Sequence, residues 1–262
     1  MSQLSAYESQ YPNVKLTRQD GILEMQLHTE GGSLVWAALK GSIHEQLGDA
    51  FYNIGADPEN KVVIITGTGD VFCDSFDMDA TIPASGPSPY YWERIYREGK
   101  DMLLNLLNIP VPVIGAVNGP AHVHAELAVL SDIVLASETA TFADRAHFWV
   151  DAVPGDGVQV VWPLLLGVNR GRAFLLTGQE IDAREALGIG FVAEVLPEPQ
   201  LLPRAWEIAR VLAQKPRSVL HYTRVALTRP LREKVERDLG YGLMAEGMAV
   251  LARDWPGDQS SE

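Results

Sequence analysis

Two kinds of apolar pattern alternate along this chain. Residues 22–28 alternate in character, whereas residues 61–66, Lys-Val-Val-Ile-Ile-Thr, form a continuous β-branched run ending at Gly67-Thr-Gly69. Residues 111–117 and 132–136 repeat the continuous kind. Alternation predicts a half-buried strand, and an unbroken apolar run bounded by turn residues predicts a strand covered on both faces. Between the runs, residues 42–54 and 91–107 carry helical spacing, so buried strands separated by helices imply an α/β fold. The segment Thr81-Ile-Pro-Ala-Ser-Gly-Pro-Ser-Pro89 is rich in breakers and reads as a surface loop placed to act as a lid. Beyond Val195 the pattern is helical only: helices are expected at 201–214, 218–228 and 231–253, with Pro203, Pro216 and Pro230 punctuating their starts. The chain therefore divides into residues 1–196, expected to hold the core and the site, and a C-terminal helical region, 197–262.

Composition narrows the partners. A chain of 262 residues, 47% of them hydrophobic, can bury a large core. A net charge of -13 repels phosphates, so nucleic acid is not an expected partner, anionic cofactors gain no general attraction, and small neutral substrates fit better. The single Cys73 excludes an internal disulfide, and no polar-to-apolar leader pattern opens the chain. No apolar run approaches the roughly 20 residues that span a bilayer. A cytoplasmic protein with no membrane partner is the expectation.

Chemistry-bearing residues gather between Pro120 and Gly157. Three of the six histidines lie there, in Pro120-Ala-His122-Val-His124-Ala-Glu126, Asp144-Arg-Ala-His147 and Pro154-Gly-Asp156-Gly157. A histidine followed nine residues later by a loop aspartate, with a further histidine after an Asn-Gly-Pro turn, suggests a base, an orienting carboxylate and an oxyanion partner. That is a hydrolytic pattern.

Several segments carry a resemblance to a known family. Val63-Ile-Ile-Thr-Gly-Thr-Gly-Asp-Val-Phe72-Cys73, Ile109-Pro-Val-Pro-Val-Ile-Gly-Ala-Val-Asn118-Gly119, Ser131-Asp-Ile-Val-Leu-Ala136 and Val153-Pro-Gly-Asp-Gly157 resemble the crotonase (enoyl-CoA hydratase/isomerase) superfamily. So does Leu176-Thr-Gly-Gln-Glu-Ile-Asp-Ala-Arg-Glu-Ala-Leu-Gly188. The resemblance implies a crotonase-like spiral of ββα units with a C-terminal helical region that supports trimerisation. Departures from the family are as informative. Where most members have a Gly-Gly-Gly run whose backbone N–H helps hold a thioester oxyanion, this chain has Ala121-His-Val-His-Ala125. Asp74 and Phe76 stand where small residues let a thioester approach, and His147 stands near the position of the hydratases' glutamate.

Those departures agree with the branch of β-diketone hydrolases typified by 6-oxocamphor hydrolase. Gly32-Ser-Leu-Val-Trp36, Val117-Asn-Gly-Pro120 with His124, His147-Phe148, Asn169-Arg-Gly-Arg172 and Leu201-Leu-Pro-Arg-Ala-Trp206 resemble it. The resemblance implies retro-Claisen hydrolysis of a small neutral cyclic or bicyclic β-diketone without cofactor or metal, in a homotrimer or dimer of trimers. It implies that His147 and Asp156 form the catalytic dyad, that His124 and Trp36 hold the substrate's carbonyl oxygens, and that Glu246 is a further active-site carboxylate.

The chemistry of the side chains is consistent with these roles. Attack of water on a ketone needs a base with a pKa near neutrality, which imidazole supplies, and Asp156 would accept the imidazole's other N–H. The expelled carbon leaves as an enolate whose oxygen needs donors. Plainer roles compete: Asp156 between two glycines could merely build a turn, Trp36 after Leu34-Val35 could be core, and Glu246 could form a buried salt bridge. Glu246 nonetheless shares one helical stripe with Leu239, Leu243 and Val250, where a carboxylate interrupts an apolar face. His122 could alternate with His124; His28, His44 and His221 read as surface or satisfied core residues, and Glu126 as structural. Other functional readings are an atypical acyl-CoA hydratase or thioesterase, a zinc enzyme using His122, His124, His147 and Asp156, and a non-catalytic crotonase-like scaffold.

Overall fold

The computed structural model of the protein describes residues 3–253. Its first two strands, β1 (Val14–Gln19) and β2 (Ile22–Leu27), form an antiparallel hairpin. Asp20 and Gly21 both take positive φ, 54° and 81°, the backbone that a two-residue turn needs to match strand twist. The chain then runs through β3 (Val35–Trp36), α1 (Ile43–Ala56), β4 (Val62–Thr66), β5 (Ser75–Phe76) and α2 (Pro89–Asn108). Next come β6 (Val113–Val117), α3 (Glu126–Val129), β7 (Ile133–Ser137) and β8 (Thr141–Phe142). After α4 (Val158–Leu166) and α5 (Val168–Thr177) follow β9 (Ile181–Asp182), α6 (Ala183–Ile189), β10 (Glu194–Leu196), α7 (Glu198–Ala213) and α8 (Arg217–Arg253).

The long strands make one six-stranded sheet in the order β1-β2-β4-β6-β7-β10, parallel after the first pair. The short strands β3 and β5 pair with each other, and single bridges from Cys73 to Ala121 and from Ala121 to Phe142 continue this second ladder. Each turn of the chain thus lays one strand in each ladder before its helix, the crotonase-like spiral of ββα units.

The unbroken apolar strands have two partners. In β4, Val62 and Ile64 face α7 through Leu201, Ala205 and Ala209, while Val63 and Ile65 belong to the core that contains Leu47 of α1 and Met102 of α2. The strand β1, with Val14 and Leu16 inward, carries an alternating pattern and an Asp-Gly turn, a signal present in the sequence before residue 22.

Two expectations about proline are corrected. Pro203 lies inside α7 and Pro230 inside α8, so the helices expected at 218–228 and 231–253 are one. Proline removes one donor and crowds the preceding turn, yet burial on either side of Pro230 outweighs that: Leu220 and Arg224 are covered before it, Val235, Leu239 and Leu243 after it. Arg224 is the anchor. Its Nε donates to Asp132 at 2.7 Å, and its other nitrogens donate to the carbonyls of Leu106, Leu107 and Ile109, where α2 ends. Among the described residues no helix is long and apolar enough to cross a membrane.

Arg224→Ala would leave the end of α2 and Asp132 without their buried donor. The expected loss is about 3 kcal/mol in denaturant unfolding; a change within error would mean that water replaces the guanidinium at no net loss.

Candidate active site

Four separate segments bring five of their side chains to one cavity of about 130 Å³, smaller than the roughly 300–1,000 Å³ of sites for drug-sized ligands. Trp36 comes from the end of β3, His124 from the segment before α3, His147 and Asp156 from the stretch before α4, and Glu246 from α8. Phe76, Ile95 and Leu243 contribute to its apolar walls. All the sequence-derived site residues therefore meet. His122 does not: its Nε2 faces Thr141 Oγ1 at 2.7 Å and Glu180 at 3.4 Å, away from the cavity.

Close backbone approach makes the convergence possible. A Cβ on Gly155 would stand 2.3 Å from the Gly242 carbonyl and 2.8 Å from Glu246 Cβ, so the Asp156 loop can press onto α8 only where both chains lack side chains. Gly157, at φ 121°, completes the turn into α4. Gln159 locks it, accepting from Gly157 N at 2.8 Å and donating to Gly155 O at 3.0 Å.

Asp156 Oδ2 lies 3.2 Å from His147 Nε2 and 3.3 Å from His124 Nδ1, so one carboxylate bridges two imidazoles. Glu246 Oε1 stands 3.9 Å from His147 Nε2. The other histidine contacts are made by acids outside the cavity lining: Asp144 Oδ1 is 2.7 Å from His147 Nδ1, and Glu126 Oε1 is 2.6 Å from His124 Nδ1. This differs from the sequence reading, which put Asp156 on the far nitrogen of His147 and gave Glu126 no part in the site. The ring of His124 stacks on Trp36 with centroids 3.7 Å apart. His124 itself sits at φ 51°, a left-handed conformation uncommon for a side chain of this size.

Burial and charge act against each other throughout the cluster. Burial pushes His147 down, but the carboxylates of Asp156 and Asp144 outweigh it and hold His147 well above the usual histidine range. His124 is raised for the same reason, by Glu126 and Asp156. Asp156 is held far below the carboxylate range, because His147 and His124 overcome its burial. Burial pushes Glu246 up to about 8, so it carries a proton at neutral pH.

One residue read from the sequence as surface or satisfied core lines the cavity, and its buried partner was not singled out. His44, in the first turn of α1, lines the cavity, with Nδ1 on Glu98 Oε2 at 2.8 Å; Arg94 holds the same carboxylate at 2.9 Å. Burial lowers His44 below the ordinary histidine value. The signal was available: His44 interrupts the stripe His44, Leu47, Phe51, Ile54, and Glu98 interrupts Tyr91, Ile95, Glu98, Met102, as Glu246 does on α8.

The set considered for zinc is not assembled, since His122 faces elsewhere. Of the described residues, His124, Glu126 and Asp156 place ligand atoms within 4.8 Å of one another, but the 2.6 Å between His124 and Glu126 is a hydrogen-bond distance. The N–H groups of His122 and Val123 both donate to Cys73 O, at 2.8 and 3.1 Å, and are spent within the fold.

The sequence pattern of the enoyl-CoA hydratase/isomerase family matches residues 17–246. Among curated proteins, the carnitinyl-CoA dehydratase of Shigella flexneri is 30% identical over 202 residues, 76% of this chain and 74% of its own length. The 1,2-epoxyphenylacetyl-CoA isomerase of Escherichia coli is 30% identical over 176 residues, 66% of this chain and 67% of its own. Among solved structures, a β-diketone hydrolase from the cyanobacterium Anabaena sp. PCC 7120, bound to (S)-3-oxocyclohexyl acetic acid, is 45% identical. It covers 97% of this chain and 98% of its own, with a TM-score of 0.89. An enoyl-CoA hydratase/isomerase from Mycobacterium paratuberculosis is 25% identical over 92% of this chain and 94% of its own, with a TM-score of 0.82. Matched over most of its length by both the family pattern and these relatives, the chain belongs to the enoyl-CoA hydratase/isomerase family, the crotonase superfamily.

Proposed function

We propose that this protein is a coenzyme-free hydrolase that cleaves a carbon–carbon bond of a small cyclic or bicyclic β-diketone. The observation that carries the reading is Asp156 bridging His147 and His124 on the wall of a small, mostly apolar cavity. Likeness to the cyanobacterial β-diketone hydrolase supports it.

In this reading a water molecule gives a proton to His147 Nε2 as its oxygen bonds to one carbonyl carbon. The resulting tetrahedral adduct collapses to a carboxylic acid, the ring C–C bond breaks, and its electron pair passes into the second carbonyl as an enolate. His124 acts as an imidazolium, the form its two carboxylates favour: Nδ1–H donates to Glu126, with Asp156 nearby, Nε2–H donates to that oxygen, and the indole N–H of Trp36 offers a second donor. Glu246, protonated at neutral pH, delivers the proton to the enolate carbon. It regains one from His147, 3.9 Å away, which closes the cycle as diketone plus water giving keto acid.

The family's thioester chemistry is the competing reading. Commitment of the His122 and Val123 N–H groups to Cys73 O speaks against it. Exposed Tyr222, Leu227, Tyr241 and Met248 along α8 suit burial against further copies, and a homotrimer or dimer of trimers is expected by sedimentation; a monomer at micromolar concentration would contradict it.

Incubated with a bicyclic β-diketone after chelator treatment, the protein is expected to yield a keto acid heavier than substrate by one water, read by mass spectrometry. His147→Ala should slow this by roughly 10²- to 10⁴-fold, and His124→Ala by about 10²-fold or more in kcat. Turnover of acyl-CoA thioesters with no keto acid from any diketone would overturn the proposal.

The pH dependence has a definite sign. His147 acts when unprotonated, and its partners raise its pKa, so kcat/KM should climb with pH through an apparent value above the ordinary histidine figure of about 6.5. Glu246 acts when protonated, so activity should fall again above about 8. Asp156→Asn removes an anion that favours the imidazolium and should move the rising limb to lower pH. A rate flat from acid to neutral pH would exclude a histidine base.

A further inference from the structure

We propose that Asp144 is the positioning residue of the base: from behind the cavity wall it holds the proton of His147 on Nδ1 and leaves Nε2 as the nitrogen that meets water. This deepens the hydrolase reading and rests on it for its kinetic consequences.

Four carboxylates, three buried and Glu246 partly so, surround the two central histidines, and they divide by position. Asp156 and Glu246 line the cavity, whereas Asp144 and Glu126 do not. A carboxylate only accepts, so the 2.7 Å contact from Asp144 Oδ1 requires a hydrogen on His147 Nδ1. The neutral ring then carries its lone pair on Nε2. Asp156 Oδ2, 3.2 Å from Nε2, becomes a hydrogen-bond acceptor only after that nitrogen has taken the proton from water. The two aspartates thus do different work: Asp144 decides which nitrogen is the base, and Asp156 stabilises the imidazolium that results.

Without Asp144, Asp156 alone would favour the opposite tautomer, with the lone pair on Nδ1 facing the interior. The remaining groups around the ring do not restore the balance. Glu246 from α8 also stands on the Nε2 side, and His124 lies with its ring centroid 6.4 Å away.

Asp144 has no competing task in the turn that carries it. Its hydrogen-bond partner among the described residues is His147, no backbone N–H donates to its side chain, and its Oδ2 is buried with no partner. An aspartate that merely built a turn would accept from the backbone two or three residues on. The neighbouring backbone is pinned independently of it. Ala143 N and Arg145 N donate to Ala121 O and His122 O at 3.2 and 2.9 Å, and His147 O accepts from Val150 and Ala152 at 2.8 and 3.0 Å. The carboxylate and the imidazole are therefore held at fixed separation by contacts that survive substitution of the Asp144 side chain.

The test joins nitrogen-15 NMR of histidine-labelled protein, the His147 signal assigned by its loss in His147→Ala, with steady-state kinetics of Asp144→Asn. In the unsubstituted protein the neutral ring of His147 should carry its hydrogen on Nδ1; a hydrogen on Nε2 would overturn the proposal without any variant having to fold. In Asp144→Asn the hydrogen should move to Nε2. Its kcat should drop by up to about 10⁴-fold, the scale of loss when a catalytic imidazole is held in the wrong tautomer. KM should change little, and the rising pH limb should shift to lower pH. Asp144→Asn with kcat and pH limb unchanged, or with a lower melting temperature as its sole effect, would leave Asp144 a structural residue and overturn the assignment. If the unsubstituted protein hydrolyses no β-diketone, the hydrolase reading fails, while the ring-nitrogen spectrum still decides the role of Asp144.

Discussion

A buried carboxylate shared by two imidazoles on the wall of a mostly apolar cavity constrains everything around it. Asp156 is 6% exposed, and an ionised carboxylate at that depth is tolerated only while both His147 and His124 face it. Keeping it there requires the loop at residues 154–157 to approach α8 closely, which requires glycine at 155 and 242. It also requires α8 to run unbroken past Pro230, because Leu239, Leu243 and Glu246 beyond the proline must sit against α2 and the loop. Arg224, nearly two turns before Pro230, fixes that helix to the end of α2 and to Asp132. A site at one end of the molecule thus depends on a guanidinium well outside it.

The same fold carries CoA-dependent enzymes among the relatives, and in the proposed function a few local exchanges separate the two uses. In this chain the loop after Gly119 turns its backbone N–H groups inward onto Cys73 O and presents His124 to the cavity at positive φ. In the proposed reaction, side-chain donors stacked on Trp36 take the place of backbone donors. The ladder of short strands sets Trp36 beside Phe76, so the backbone pairing itself carries the indole to the cavity.

Much of this was legible in the sequence because burial writes itself as periodicity. The run from Val62 to Ile65 is apolar throughout because α7 covers one face and α1 with α2 the other. What escaped reading has equally definite causes. Proline signals a helix start only when packing does not override it, and Leu220, Arg224, Val235 and Leu239 override it at Pro230. His44 and Glu98 were passed over although each interrupts an apolar stripe, the feature that had singled out Glu246. The partnership of Asp144 with His147 lay in plain view at a spacing of three. Spacing alone could not say which nitrogen of the ring each aspartate would face, since that depends on how the 147 and 156 segments cross.

Charge gives the proposed reaction a direction. The substrate is neutral and meets no electrostatic barrier on entering a protein of net charge -13. The product is a keto acid that ionises at neutral pH, formed beside Asp156 and, once it has given up its proton, beside Glu246. Repulsion between like charges in a poorly screened cavity favours departure of the anion over its retention. In that reaction the acidic cluster that tunes the base would also limit product inhibition, and a basic residue added to the cavity to strengthen substrate contacts would trade faster capture for slower release.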